Sequence, residues 1–245
     1  MAGVSEFSEG GSEILRYDTR RIPFTPAVGD TALIEAVQDH VEQHVGPISS
    51  VFHEVRSDLV HVDVHLVPAS SGRPYHTLVT SGMSEVPMVV PCEEGFTLGY
   101  AELMIALPRH WPLSGRQFRE DTNFWPIQWL TMLARLPHAY DSWLGFGHTV
   151  PNGEPPEPLA TNNSFTGVIL LPPLRTPDAF STLQLTPDKA IDFFALVPIY
   201  PEEMELKLRE GTDLLIERFN LHGVDEVVNL RRRNLARHRR RWRPF

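Results

Sequence analysis

The chain has 245 residues, 42% hydrophobic and 22% charged, which is long enough for a sizeable core and ordinary for a globular protein. One cysteine, Cys92, excludes an internal disulfide, and the apolar runs are far too short for a membrane-spanning helix. The net charge of −9 is uneven: eight of the 22 basic residues are arginines in the last fifteen positions, so 14 basic residues face 31 acidic ones elsewhere.

The composition of residues 1–28 predicts a poorly ordered leader. Glycine, serine and glutamate crowd its start, and Pro23 and Pro26 follow. Its start has no basic stretch followed by an apolar core, which is unlike a secretory signal. Together with the single cysteine, this predicts a cytoplasmic protein without membrane contact.

The first helix is predicted to run to Val45. Asp30 is a good N-cap, because its short carboxylate can accept hydrogen bonds from the first free N–H groups. One face is apolar at spacings of three and four: Ile34, Val37, Val41 and Val45.

Three strand signals come next. Apolar and polar residues alternate over Val60–Val67, which predicts a strand with one apolar and one polar face. His76–Ser81 is predicted as a second strand. Gly99–Leu107 is a third, and it is apolar enough to be buried on both faces.

A second amphipathic helix is predicted to end before Pro137, because proline restricts the residue that precedes it. Its apolar positions are Trp125, Trp129, Met132 and Leu136. At helical spacing, Trp125 and Trp129 are typical of a core. Tyr140 and Trp143 lie beyond Pro137 and are predicted to be partly exposed.

Two core strands and two helices complete the pattern. The strands are Thr166–Leu171 and Ile191–Val197. Pro201 opens a helix that Gly211 breaks, and another helix follows over Thr212–Leu221. Strands and helices alternate irregularly, which predicts an α/β fold with a mixed β-sheet covered by helices.

Several multi-residue motifs agree with one known family. They lie in the segments Tyr75–Met88, Tyr100–Pro108, Trp125–Gly153 and Val197–Gly211. In sequence and spacing these segments resemble the suppressor-of-fused domain in its single-domain bacterial form. The resemblance implies a suppressor-of-fused-like α/β sandwich over residues 29–228, followed by an arginine-rich tail over residues 229–245.

The resemblance implies a non-enzymatic protein-binding domain. The animal members of the family bind a short extended peptide beside a sheet edge, and bacterial members have been proposed as immunity proteins that neutralise toxins of polymorphic toxin systems. For this acidic chain, the expected partner is a protein or extended peptide, concretely a basic toxin domain. No nucleophile elbow surrounds Ser81 or Ser84, so no catalytic residue is assigned. No cofactor and no metal are assigned either.

The segment after the second helix is the predicted partner-binding surface. Gly145 and Gly147 would let the backbone of a partner approach closely, as strand addition requires. His148 could form a hydrogen bond with a partner, and its charge would change near neutral pH. The alternative is a glycine-relieved strand whose histidine satisfies its own loop. The candidate residues are Tyr140, Trp143, Phe146, Gly147, His148, Thr149, Val150 and Asn152.

Two other functions remain open. His61, Asp63 and His65 would share one face of a strand, where two imidazoles and a carboxylate could hold a metal ion for an enzyme. Their plainer interpretation is the polar outer face of a half-buried strand. The arginine tail could bind nucleic acid through phosphate contacts, and its plainer interpretation is a solubilising tail.

Overall fold

The computed structural model describes residues 6–17, 22–54, 57–92 and 95–236. Its strands are β1 (Glu6–Phe7), β2 (Glu13–Ile14), β3 (Ser50–Phe52), β4 (Asp63–Val67), β5 (Tyr75–Ser81), β6 (Met88–Cys92), β7 (Gly95–Pro108), β8 (Thr149–Pro151), β9 (Gly167–Leu171), β10 (Thr182–Thr186) and β11 (Lys189–Ile199). Its α-helices are α1 (Thr31–His44), α2 (Gly115–Phe118), α3 (Asp121–Tyr140), α4 (Pro201–Glu210) and α5 (Thr212–His222).

Nine strands form one mixed sheet. The order along it is β3-β4-β5-β7-β11-β9-β8, while β6 also pairs with β7 and β10 with β11. Among these named pairs, β7 and β11 run parallel and the others antiparallel. The predicted α/β fold with a mixed sheet is therefore confirmed.

Helices cover both faces of the sheet. Successive side chains of a strand point to opposite faces. In β7, Leu103 and Ile105 belong to the apolar cluster that contains Leu133 of α3. Between them, Met104 belongs to the cluster that contains Val37 of α1. The central strands are therefore buried on both sides, which explains their continuous apolar sequence.

The helices α4 and α5 extend this covering over the far end of the sheet. Leu215 and Phe219 of α5 share a buried cluster with Ile169 of β9 and Val197 of β11. Gly211 separates the two helices. Its φ of +96° is a backbone conformation that residues other than glycine rarely adopt. The predicted helix break at this glycine is confirmed.

The first helix begins as its sequence predicts. Asp30 Oδ1 accepts hydrogen bonds from the backbone N–H groups of Ala32 and Leu33, at 3.0 and 3.2 Å. Leu33, Val37 and Val41 are buried, as expected for an amphipathic helix packed on a sheet.

The predicted end of the second amphipathic helix is wrong. α3 continues through Pro137 to Tyr140, although proline inside a helix removes a hydrogen bond at a cost of about 3 kcal/mol. Burial offsets this cost, because Pro137 and His138 are both buried and His138 Nε2 lies 3.0 Å from the Met83 carbonyl. Trp125 is buried as predicted, at 0% exposure.

The predicted polar face of the Val60–Val67 strand is also wrong. All five residues of β4 are buried. The sheet carries a helix layer on each face, so the polar side chains of this strand find partners inside the protein. His65 Nε2 lies 2.7 Å from Ser81 Oγ on the neighbouring β5, for example.

The described part of the leader contains regular structure where the sequence predicted none. β1 and β2 form a short antiparallel hairpin. Its turn contacts the body, because the Gly10 N–H donates to the Leu208 carbonyl at 2.8 Å. No described helix is long and apolar enough to cross a membrane.

The predicted arginine tail begins inside the domain. Arg232 is 8% exposed and forms an ion pair with Glu203 of α4, whose side chain is fully buried. Its guanidinium also donates to the Pro198 carbonyl at 2.7 Å. Residues 229–236 are therefore partly structural, while the arginines from Arg237 onward lie outside the described residues.

Candidate functional site

The predicted partner-binding segment ends in β8, an edge strand of the sheet. β8 pairs with β9 through Thr149↔Ile169, Val150↔Val168 and Pro151↔Gly167. Among the described strands, none pairs with the other side of β8. The edge has three residues and a proline, features by which proteins limit uncontrolled strand pairing.

Two flanking hydrogen bonds fix the direction of the backbone groups in β8. The His148 carbonyl accepts from Leu170, and the Asn152 N–H donates to Thr166. Backbone groups alternate between inward and outward along an antiparallel strand, so the groups of Thr149 point away from β9. This edge thus offers the N–H and C=O of Thr149 to an incoming strand.

The aromatic residues before β8 form a half-buried cluster. Trp143 and His148 are in edge-to-face contact, with ring centroids 4.1 Å apart. Gly145 makes room for this arrangement, because a Cβ there would lie 2.8 Å from the Trp143 ring. Phe146 points outward and is 53% exposed.

His148 does not titrate near neutral pH, which corrects the sequence-based expectation. Burial, together with the nearby Lys207, lowers the pKa of His148 from 6.5 to about 4, while Glu13 opposes the shift. The imidazole is therefore neutral at pH 7. A neutral imidazole can still exchange hydrogen bonds with a partner.

Two of the candidate residues serve the local loop structure. Gly147 adopts a φ of +76° next to Thr212, where a Cβ would meet Cγ2 at 3.0 Å. The Asn152 side-chain amide donates to the Pro158 carbonyl at 2.9 Å. These contacts support the alternative in which part of this segment satisfies its own loop.

The N-terminal segment lies against the same surface. The rings of Tyr17 and Tyr140 are 5.0 Å apart. The Tyr17 hydroxyl also bonds to Ser142 Oγ. Tyr140 is therefore half-buried, partly by residues of the described leader.

An apolar patch next to this surface was missed in the sequence. A groove of about 300 Å³ is lined by residues that include Met88 and Pro137. Val86 and Val89, which also line it, are 40% and 47% exposed. Leu98, which pairs with Val89 across the β6–β7 hairpin, is 60% exposed. Such positions become visible only when the strand register is known.

The alternative metal-binding trio of His61, Asp63 and His65 is not the group that the structure brings together. His65 is fully buried and faces Ser81, as described above. His53 takes its place, so that the two oxygens of Asp63 face two different imidazoles, those of His53 and His61. His53 lies outside the strand pattern, and the chain reversal between β3 and β4 brings it near.

A further cavity is lined by residues outside the predicted partner-binding segment. It measures about 690 Å³ and lies beside the chain that follows α5. Two of its lining arginines are held in ion pairs: Arg175 pairs with Asp225 at 2.5 Å, and Arg232 pairs with Glu203 of α4 at 2.5 Å. Catalytic groups normally keep reactive atoms available to substrate, which these ion pairs do not.

A sequence profile of the family described as Suppressor of fused protein matches residues 58–233. No curated protein sequence gives a significant match. Similar solved structures are more distant in sequence, and at such identities they establish the fold alone.

Three solved structures illustrate this likeness. A suppressor of fused homologue from Neisseria gonorrhoeae has 17% identity and a TM-score of 0.63, covering 86% of this chain and 100% of its own. A chain of a Sufu–Fu complex has 16% identity and a TM-score of 0.57, with 86% and 93% coverage. Drosophila Suppressor of Fused has 18% identity and a TM-score of 0.55; the match covers 83% of this chain and 51% of the fly protein.

Proposed function

The chain belongs to the suppressor of fused family, and from this premise we propose that it is a non-enzymatic binding domain for an extended segment of another protein. A solved relative is a Sufu–Fu complex, so binding a protein partner is an established property of that relative. The observation that carries the proposal is the short edge strand β8, with the N–H and C=O of Thr149 directed away from the sheet.

Strand addition at this edge explains the local residues. A partner backbone would exchange two hydrogen bonds with Thr149 and donate a third to the Pro151 carbonyl. Such main-chain hydrogen bonds give strand addition its affinity. Phe146, which is 53% exposed, would supply an aromatic anchor beside the edge. The half-buried rings around this anchor would pack beneath the partner; they belong to Tyr140, Trp143 and His148.

The charge of the chain favours a basic partner. Outside its last fifteen residues, 31 acidic side chains exceed 14 basic ones. Opposite charges accelerate encounter and suppress wrong partners more than they add affinity. We therefore propose a basic toxin domain as the partner, with this chain acting as a cytoplasmic immunity protein of a bacterial polymorphic toxin system.

Capture of the partner tests this role. Immobilised protein should retain one specific basic protein from extracts of its own cells, and the neighbouring gene should encode it. Co-expression should then relieve the toxicity of that protein. A captured partner that is acidic, or that is not harmful when expressed alone, would contradict the immunity role.

A pair of variants at one position tests the edge itself. Thr149→Pro removes the outward N–H and should weaken partner binding at least tenfold. The fold should accept this proline, because an edge strand does not use that N–H within the sheet. Thr149→Val keeps the N–H and the β-branched shape, and should bind like the native protein. Equal binding by both variants, each with a native circular dichroism spectrum, would exclude strand addition at β8.

A further inference from the structure

We propose that His53, His61 and Asp63 form a binding site for a divalent transition-metal ion, with Zn²⁺ as the best match. The site lies at the sheet edge opposite β8, where β3 leads into β4. His53 directly follows β3, and Asp63 is the first residue of β4. This inference is independent of the proposed partner-binding role, because it concerns the other edge of the sheet.

The distances between the donor atoms suit a single ion. His53 Nδ1 lies 3.0 Å from Asp63 Oδ2, and His61 Nε2 lies 3.1 Å from Asp63 Oδ1. One donor atom from each residue falls within a group no wider than 4.8 Å. Zinc holds imidazole nitrogens and carboxylate oxygens at about 2.0–2.2 Å, so neighbouring ligand atoms stand roughly 3 Å apart. The site therefore needs little rearrangement to accept the ion.

The ring of His61 is held in a fixed orientation. Its Nδ1 lies 2.5 Å from Ser57 Oγ, which directs Nε2 towards Asp63. Metal-binding histidines usually bond a second group through the nitrogen that does not touch the metal. Gly29 packs against the same ring, and a Cβ there would lie 3.1–3.3 Å from it.

The buried carboxylate of Asp63 needs a positive charge nearby. Asp63 is 4% exposed, and its Oδ1 accepts no hydrogen bond from the residues that the structure describes. Its ion-pair partners there are the two imidazoles, which carry a full charge only when protonated. A bound dication would neutralise this carboxylate.

The outer side of the site is open to solvent. The side chain of His53 is 70% exposed, so an ion can enter from that side and complete its coordination with water. Three protein ligands and one open position are an arrangement that zinc accepts. The side chain of His53 lies mostly in solvent, so its replacement should leave the apolar core intact while removing the bond to Asp63 Oδ2.

Titration of Zn²⁺ into untagged, metal-free protein tests the site by calorimetry and by thermal unfolding. The expected result is one ion per chain, with a higher melting temperature in the presence of Zn²⁺. His53→Ala removes one of three ligands and should weaken Zn²⁺ binding at least tenfold. Because His53 also bonds the buried Asp63, the melting temperature of each protein is measured without metal first, and the increase that Zn²⁺ then produces should be smaller in the variant.

Matched controls separate this site from other metal-binding groups. His110→Ala removes another exposed histidine, and Cys92→Ser removes the exposed thiol; both variants should bind Zn²⁺ like the native protein. His61→Gln is a second test within the site and should also weaken binding. The absence of saturable binding, or equal affinity in the native protein and His53→Ala, would overturn the proposal.

Discussion

Replacement of Arg232 by alanine should destabilise the whole domain. Its guanidinium bonds both oxygens of Glu203, at 2.6 Å to Oε1 and 2.5 Å to Oε2. It also lies over the rings of Phe165 and Tyr200, 4.9 Å from each centroid. Glu203 is fully buried, so the alanine variant would leave a carboxylate without its cation.

The expected cost is about 3–5 kcal/mol of unfolding free energy, the usual result of removing one partner of a buried ion pair. Glu203 would still accept hydrogen bonds from the backbone N–H groups of Tyr200 and Leu235. These bonds would compensate only in part for the lost positive charge. A second change, Glu203→Gln in the Arg232→Ala background, should recover some stability because the buried group is then neutral.

Urea unfolding followed by tryptophan fluorescence at pH 7 measures this loss. Arg233→Ala is the matched control, because Arg233 is the next residue and is exposed; its effect should stay within about 0.5 kcal/mol. Truncation after residue 236 should preserve stability, whereas truncation after residue 230 should not. A change below about 1 kcal/mol in Arg232→Ala would refute the role assigned to this ion pair.

Two further predictions concern buried ionisable groups. Burial lowers the pKa of His65 from 6.5 to about 4, so at acidic pH the unfolded chain binds a proton more readily than the native protein does. This histidine alone should lower the free energy of unfolding by about 3 kcal/mol between pH 7 and pH 4, in addition to the contribution of His148; urea unfolding at both pH values should show that His65→Phe removes this part of the loss. Burial also raises the pKa of Glu102, which accepts bonds from Thr80, Gly82 and Ser84. Glu102→Ala would leave these buried donors unpaired and create a cavity, so it should cost about 3–5 kcal/mol in urea unfolding. Glu205→Ala on the exposed face of α4 should be nearly neutral, and equal stability of the two variants would contradict the role of Glu102.

Local sequence signals predicted most of the regular elements. The Asp30 cap, the apolar faces of the helices and the break at Gly211 depend on interactions within a few residues, so they are legible in the chain. The same holds for Trp125, whose helical spacing indicated a core position. The family resemblance and the mixed sheet followed from motifs and from the irregular alternation of strands and helices.

Residues distant in sequence decided the rest. The helix could continue through Pro137 because His138 bonds to Met83, 55 positions away. Arg232 became part of the core because α4 presents Glu203 beneath it, although its neighbours in the sequence are those of a charged tail.

The sites divide in the same way. By its own sequence, the chain determined the family, the sheet with its helices, and a loop with the composition of a partner-binding segment. The tertiary structure decided that Thr149 lies on an open edge, that His148 is neutral, and that His53 rather than His65 joins His61 and Asp63. The physical reason is that strand register, burial and charge pairing depend on which chain segments become neighbours in space, and periodicity along the chain does not contain that information.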